Sequence, residues 1–287
     1  MNRRAFLSTV PALIAAGNGG TWFDPEDEDA LLCRQKFTTA VRASLAQKMI
    51  GVVVVGIGKS FIGTDYVANA LEIPGEERLV VNLRGLDCVS FYENALVFAR
   101  CIKKKKTTFE HYKQELQFIR YRGGVIDAYP SRLHYTSDYF YDNAQRGVWK
   151  LVAEELGGER LQMKVNFMST HPDAYRQIKE NPTYRDSIAK QEALISARET
   201  YFVPKERVAS IASNIRSGDI LGITTNIDGL DCSHTGIACW QRGRLHLLHA
   251  PNVGYKVQIS EKSLAEYLAG NNRQTGVMIA RPLEPKY

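Results

Sequence analysis

The sequence lacks the long apolar run that a membrane-spanning helix needs, because no stretch of about 20 apolar residues occurs in its 287 residues. It also lacks zinc-protease motifs of the His-Glu-x-x-His type and Cys-x-x-Cys pairs, so no metal and no organic cofactor is expected. The five cysteines are an odd set, which predicts at least one free thiol. The composition, 44% apolar and 24% charged, excludes the disordered and collagen-like classes.

Nucleic-acid-binding motifs are missing too, although the 37 Lys and Arg outnumber the 31 Asp and Glu and give a net charge of +6. The basic run Lys103 to Lys106 follows an apolar helical pattern, where cations stabilise a helix C-terminus. Gly56 to Ser60 resembles a phosphate-binding loop, but position 53, where that motif begins with glycine, holds Val53. We expect no nucleic-acid partner, no stable membrane insertion and a monomer. The mild positive charge is compatible with an anionic cell-wall polymer.

The first 20 residues resemble an export signal. Arg3 and Arg4 precede the short apolar stretch Thr9 to Ala16, and a glycine cluster follows it. Paired arginines at this position are typical of the twin-arginine export route. The sequence therefore predicts an export signal over residues 1–20, a single domain over residues 21–287, and a periplasmic location.

Hydrophobic periodicity predicts helices first and strands later. The helical pattern covers Leu31–Ile62, Asp87–Ile102, Asn181–Arg198 and Pro204–Ile215. The segment Tyr129–Trp149 is rich in Tyr, His and turn residues, so an irregular segment or long loop is expected there. Period-two alternation predicts antiparallel strands over Ile220–Thr225, His234–Gln241, Arg244–Ala250, Lys256–Ser260 and Gly276–Pro282. This order indicates an α+β fold with N-terminal helices packed on an antiparallel sheet.

Cys88 is the first candidate for chemistry. It directly follows Asp87, a favourable N-cap residue, and therefore lies in the first turn of the predicted helix. The positive end of the helix dipole and free backbone N–H groups favour a thiolate, so a lowered pKa is expected there. Cys101, at the opposite end of the same helix, lacks that advantage. A small buried side chain without a chemical role is an equally good interpretation of Cys88.

Two histidines are candidates for the base that such a thiol needs. If the two strands are joined by a two- or four-residue turn centred on Arg242-Gly243, the numbers of two directly opposite strand residues sum to 485. His234 and His249 then lie on the same face of the sheet as diagonal neighbours, about 7–8 Å apart at the backbone. His246 pairs with Cys239 and points to the opposite face.

Several motifs together resemble the NlpC-type cysteine amidase and peptidase superfamily, and within it the N-acetylmuramoyl-L-alanine amidase-like branch. They lie in the same order as in that family and cover roughly residues 45 to 285. The motifs are Ile62-Gly63-Thr64-Asp65-Tyr66 with the segment to Glu72, Asp87-Cys88-Val89-Ser90-Phe91, Arg132-Leu133-His134-Tyr135 with Ser137-Asp138, Asn166-Phe167-Met168-Ser169, Ser217-Gly218-Asp219-Ile220-Leu221, His234-Thr235-Gly236-Ile237, and Leu248-His249-Ala250. Many members have Pro where this chain has Asp65.

The resemblance implies a reduced papain-like fold and a Cys/His/His site. In such a site Cys88 would be the nucleophile, His234 the general base and then acid, and His249 the residue that orients the His234 ring. The expected reaction is hydrolysis of the N-acetylmuramoyl-L-alanine amide bond in peptidoglycan fragments, during cell-wall turnover or recycling.

The resemblance also implies substrate-binding residues. Tyr66 and Asp87 would contact the substrate near the nucleophile, and His134, Tyr135 and Asp138 would bind the sugar or the stem peptide. A surface loop held by aromatic packing is an equally good interpretation of the last three residues. Two other functions stay open, namely an endopeptidase that cuts within the stem peptide and a non-catalytic wall-binding protein.

Overall fold

The computed structural model describes residues 25–286, so the predicted export signal lies outside the described residues. Within them the chain forms ten α-helices: α1 (Pro25–Arg42), α2 (Ile50–Lys59), α3 (Cys88–Lys103), α4 (Phe109–Arg120), α5 (Thr136–Gln145), α6 (Phe167–Thr170), α7 (Arg176–Glu180), α8 (Pro182–Ala197), α9 (Lys205–Ile211) and α10 (Leu264–Ala269). No helix of this part of the chain is long and apolar enough to cross a membrane.

The strands are β1 (Asp65–Tyr66), β2 (Gly85–Leu86), β3 (Trp149–Leu151), β4 (Glu159–Arg160), β5 (Tyr201–Pro204), β6 (Ile220–Thr225), β7 (Cys232–Gln241), β8 (Arg244–His249), β9 (Gln258–Ile259) and β10 (Gln274–Pro282). The main sheet has the order β4-β5-β10-β6-β7-β8-β9, with β3 also paired to β10, and its pairs are antiparallel. Strands β1 and β2 form a separate parallel pair. The expected α+β class, with helices and an antiparallel sheet, is confirmed.

The main sheet is covered on both faces because neighbouring strand residues point to opposite sides. On one side Ile237 and Leu248 pack in a core with residues of α1 to α4. On the other side Ala238 and Leu247 pack with residues of α9 and α10. A third, smaller core lies under α8. The N-terminal helices therefore lie against the sheet, as the sequence predicts.

The β7–β8 hairpin has the predicted register. Ile237 pairs with Leu248 and Cys239 pairs with His246, so the paired numbers sum to 485. The turn consists of two residues, Arg242 and Gly243, whose φ angles are 51° and 74°. Positive φ at both central residues is typical of the tight turns that join antiparallel strands, and Gly243 adopts it without strain.

The expectation for residues 129–149 is wrong. Instead of an irregular segment, the chain forms a short 3₁₀ turn at 129–131, helix α5 and strand β3. Helix α5 is made of residues with low helix propensity, such as Thr, Ser, Asp, Tyr and Asn, so local sequence does not indicate it. Burial of Tyr139 and Phe140 against Trp149 supplies the stabilisation that propensity lacks.

Candidate active site

Helix α3 begins at Cys88, as predicted, and is held there by a capping box. The Asp87 carboxylate accepts a 2.7 Å hydrogen bond from the Ser90 backbone N–H, and the Ser90 hydroxyl lies 2.9 Å from the Asp87 N–H. The rest of the helix is buried from Ser90 to Ile102. The thiol is thus fixed at the start of a helix that the core immobilises.

The Cys88 thiol is half-buried, and its pKa is shifted in the direction opposite to the one expected. Burial and then the neighbouring Asp87 carboxylate raise the pKa of Cys88 to about 11, although hydrogen bonds from the hydroxyl and the N–H of Thr235 lower it. Asp87 also occupies the Ser90 N–H, one of the helix N-terminal donors that would otherwise favour a thiolate. The Cys88 thiol is therefore neutral near pH 7.

His234 and His249 meet as the hairpin register predicts. His234 Nε2 lies 2.8 Å from His249 Nδ1, and the rings are nearly perpendicular at 76°. Burial, and then the proximity of His249, lower the pKa of His234 to about 3, and burial lowers that of His249 to about 4. Both imidazoles are therefore neutral near pH 7. His246 is bound elsewhere, through Nδ1 to the Ser260 carbonyl oxygen.

Thr235 joins the histidine strand to the cysteine helix. Its hydroxyl donates a 2.7 Å hydrogen bond to the Cys88 carbonyl oxygen. Among the described residues, the Cys88 thiol makes no direct hydrogen bond to His234. No role was predicted for Thr235, although it directly follows His234 in the quoted motif and therefore lies on the same strand, β7.

Tyr66 lies near Cys88. Strand β1 places it opposite Leu86, directly before the helix cap, and burial followed by the charges of Cys88 and Asp87 raises its pKa. Asp65 forms a 2.8 Å ion pair with Lys256. The segment that carries Tyr66 is thus attached to the connection between β8 and β9.

His134, Tyr135 and Asp138 have their polar groups engaged by other parts of the chain. The Tyr135 hydroxyl donates to Glu192, the His134 ring bonds the Tyr129 carbonyl oxygen, and the Asp138 carboxylate is paired with two arginines. Such internal contacts favour a structural role for these three residues. A substrate contact by these residues stays a prediction.

All five cysteines are free thiols in the structure. Cys101, at the far end of α3, is buried, and its thiol donates to the His111 carbonyl oxygen. Burial raises its pKa as well. Within residues 25–286 no group of three His, Cys, Asp or Glu side chains is arranged to hold a metal ion.

A cavity of about 630 Å³ adjoins the histidine pair, and both His234 and His249 line it. A concave site next to residues with strongly shifted pKa values is the usual location of an active site. The described residues that line this cavity include neither Cys88 nor Tyr66, so the cavity adjoins the candidate site on the side of the histidines. A thiol at a helix start, two imidazoles in contact and a neighbouring cavity are suited to acyl transfer.

Comparison with known proteins finds solved structures that share this fold. The chain is 33% identical to a crystal structure of an N-acetylmuramoyl-L-alanine amidase from Bacteroides uniformis, with a TM-score of 0.78 over 81% of this chain and 98% of that one. A crystal structure of a putative xylanase from Bacteroides fragilis is 36% identical, with a TM-score of 0.75 over 78% of this chain and 98% of that one.

A protein from Legionella pneumophila shares the fold at 20% identity, with a TM-score of 0.70 over 90% of this chain and 96% of that one. No curated protein sequence matches significantly. Residues 56–277 match the N-acetylmuramoyl-L-alanine amidase-like family, also called AmiA-like. That match covers most of the chain and confirms the branch predicted from the motifs. This chain, with its cysteine at a helix start and its paired histidines, therefore belongs to the N-acetylmuramoyl-L-alanine amidase-like family.

Proposed function

We propose that this protein hydrolyses the amide bond between the lactyl group of N-acetylmuramic acid and L-alanine in peptidoglycan fragments. The observation that carries the proposal is the 2.8 Å contact between His234 and His249, on a strand that Thr235 bonds to the Cys88 backbone. The family match and the relative named as an amidase supply the substrate. This activity would serve cell-wall turnover or recycling.

The mechanism begins from a neutral thiol and two neutral imidazoles. His234 takes the Cys88 proton as the sulfur attacks the amide carbon, because neither group is charged in the resting site. The Cys88 backbone N–H, which faces its own sulfur, is the donor that we assign to the oxyanion. His234 then protonates the departing amine of L-alanine, and water hydrolyses the thioester.

His249 sets the tautomer of the base. For neutral His234 to accept a proton at Nδ1, its own proton has to be at Nε2. From there the N–H donates a hydrogen bond to His249 Nδ1. His249 then carries its proton at Nε2. The second imidazole thus holds the ring of the base in one orientation and stabilises it when it becomes charged.

Glycoside hydrolysis, suggested by the name of the Bacteroides fragilis relative, fits this site less well. Glycosidases generally use two carboxyl groups, one as acid and one as nucleophile or base. The carboxylate beside Cys88, that of Asp87, is engaged as the helix cap, and that of Asp65 on the neighbouring strand β1 is paired with Lys256. The thiol and the histidine pair favour an amidase.

The same proposal extends to fold relationship and location. A cysteine at the start of a core helix and histidines on the adjoining antiparallel sheet are consistent with the reduced papain-like, NlpC-type fold. We also infer export to the periplasm by the twin-arginine route, because Arg3 and Arg4 precede a short apolar stretch. The expectation of a monomer stays a prediction.

Mass spectrometry of cleaved muropeptides tests the activity. The protein without residues 1–20 is incubated with a disaccharide–tetrapeptide in its reducing and anhydro forms, beside Cys88→Ala and Cys101→Ala. We expect release of the intact tetrapeptide by the first protein and by Cys101→Ala, and loss of product by at least about a thousandfold in Cys88→Ala.

The remaining outcomes separate the alternatives. Cleavage within the stem peptide that depends on Cys88 would move the function to an endopeptidase. The absence of any Cys88-dependent product from either sugar form would contradict the amidase and favour a wall-binding protein.

A further inference from the structure

The cavity beside the histidine pair contains two buried polar atoms without a partner. His249 is 2% exposed and Gln274 is 4% exposed, and both line the cavity. His249 Nε2 and Gln274 Oε1 make no hydrogen bond in the described part of the chain. Buried polar atoms are rarely left unpaired, because they have lost water without gaining a partner. Their location at one cavity indicates a ligand with matching groups.

The two atoms differ in hydrogen-bonding character. In the tautomer that leaves the His234 base free, His249 offers an N–H donor at Nε2, while Gln274 offers a carbonyl acceptor. The centroid of the Tyr267 ring lies 5.4 Å from that of the His249 ring, and the Tyr267 hydroxyl accepts a hydrogen bond from the Gln274 side-chain amide, which leaves the Gln274 carbonyl oxygen free. A peptide group matches both atoms, because its C=O accepts a hydrogen bond and its N–H donates one.

Charge supplies the second observation. Lys262 and Arg273 line the same cavity, are exposed, and form no ion pair among residues 25–286. One acidic side chain, Glu261, also lines it, so the fixed charges of the lining sum to +1 (two cations and one anion). Cations without an ion-pair partner, next to an unpaired imidazole nitrogen and an unpaired amide oxygen, suit a peptide that carries carboxylates.

We propose that this cavity is the subsite for the stem-peptide part of the substrate, and that Lys262 and Arg273 recognise its carboxylates. This inference rests on the proposed amidase function, which supplies the peptide. The cavity volume of about 630 Å³ is in the range of pockets that hold molecules of such size. A peptide bound to His249 Nε2 would also hold the histidine pair in the tautomer that catalysis needs.

Calorimetric titration tests the subsite without any cleavage. The free stem tetrapeptide, and a version with its carboxylates converted to amides, are titrated into the protein and into Lys262→Gln, Arg273→Gln and Lys190→Gln. Lys190 is an exposed cation on α8 that does not line the cavity, and it serves as the matched control. We expect each cavity variant and the amidated peptide to weaken binding by about tenfold or more, with Lys190→Gln unchanged.

Turnover of the disaccharide–tetrapeptide by the same variants gives the second readout. We expect KM to rise in Lys262→Gln and Arg273→Gln with little change in kcat, since neither side chain touches the reacting atoms. Normal turnover with unchanged KM in both variants would overturn the subsite and leave the amidase intact. Carboxylate-dependent peptide binding without any Cys88-dependent cleavage would overturn the amidase and leave the subsite intact. A cavity that holds only water would give no heat with the tetrapeptide, which would also overturn the subsite.

Discussion

At the scale of single residues, Cys88 shows how two effects of one neighbour oppose each other. Asp87 caps the helix that positions the thiol, but its charge and its hydrogen bond to the Ser90 N–H disfavour the thiolate. Burial adds to that effect. As the proposed nucleophile, Cys88 therefore needs His234 to remove its proton during the reaction.

The pH dependence of alkylation tests this state of the thiol. With a Cys88 pKa of about 11, labelling of Cys88 by iodoacetamide should rise about tenfold per pH unit from pH 7 to pH 10, since the thiolate is the reactive form. Peptide-level mass spectrometry separates Cys88 from the buried Cys101, which serves as an internal reference. A plateau near pH 6 to 7 would contradict a neutral thiol and indicate a thiolate–imidazolium pair.

At the scale of elements, the start of α3 and the β7–β8 hairpin bring the site together. Both were predictable because their signals are local: a capping residue in one case, and alternation with a two-residue turn in the other. Helix α5 was not predictable, because its stability comes from aromatic contacts with residues distant in the chain.

Substitution of the helix cap separates its structural and electrostatic effects. Asp87→Ala should lower the free energy of unfolding by about 1 kcal/mol, while Asp87→Ser should retain most of the cap without the charge. Both variants should lower the pKa of Cys88, because the carboxylate that raises it is gone. Denaturant unfolding gives the first quantity, and the alkylation profile gives the second.

Thr108→Ala is the matched control for this cap. Thr108 caps α4 by accepting a hydrogen bond from the His111 N–H, and it contacts none of the site residues. Thr108→Ala should lower the free energy of unfolding by a similar amount and leave the pH profile of Cys88 alkylation unchanged. An alkylation profile that Asp87→Ser leaves unaltered would show that burial alone sets the pKa of this thiol.

At the scale of the whole molecule, folding buries imidazoles in their neutral form. The pKa of His249 is lowered from 6.5 to about 4, and burial lowers the pKa of His134 and His234 to about 3. Below pH 6.5 the unfolded chain binds protons that the folded chain does not. The free energy of unfolding therefore falls as the pH drops from 6.5 toward 4.

Replacing His249 should make this loss of stability less steep. Because His249 is almost fully buried, it contributes about 1 kcal/mol per pH unit between pH 6 and pH 4.5. His249→Gln should remove that part of the slope in denaturant titrations at several pH values. Equal slopes in the variant and the wild type would argue against a neutral, buried His249.

The sequence by itself determined the family, the α+β class, the start of α3 and the register that places His234 beside His249. These depend on side-chain period, turn length and capping, which act between residues close in the chain. The tertiary structure alone decided the state of the thiol, the internal partners of His134, Tyr135 and Asp138, and the unpaired atoms of His249 and Gln274. Burial and long-range partners determine such properties, and they exist only after distant segments have packed together.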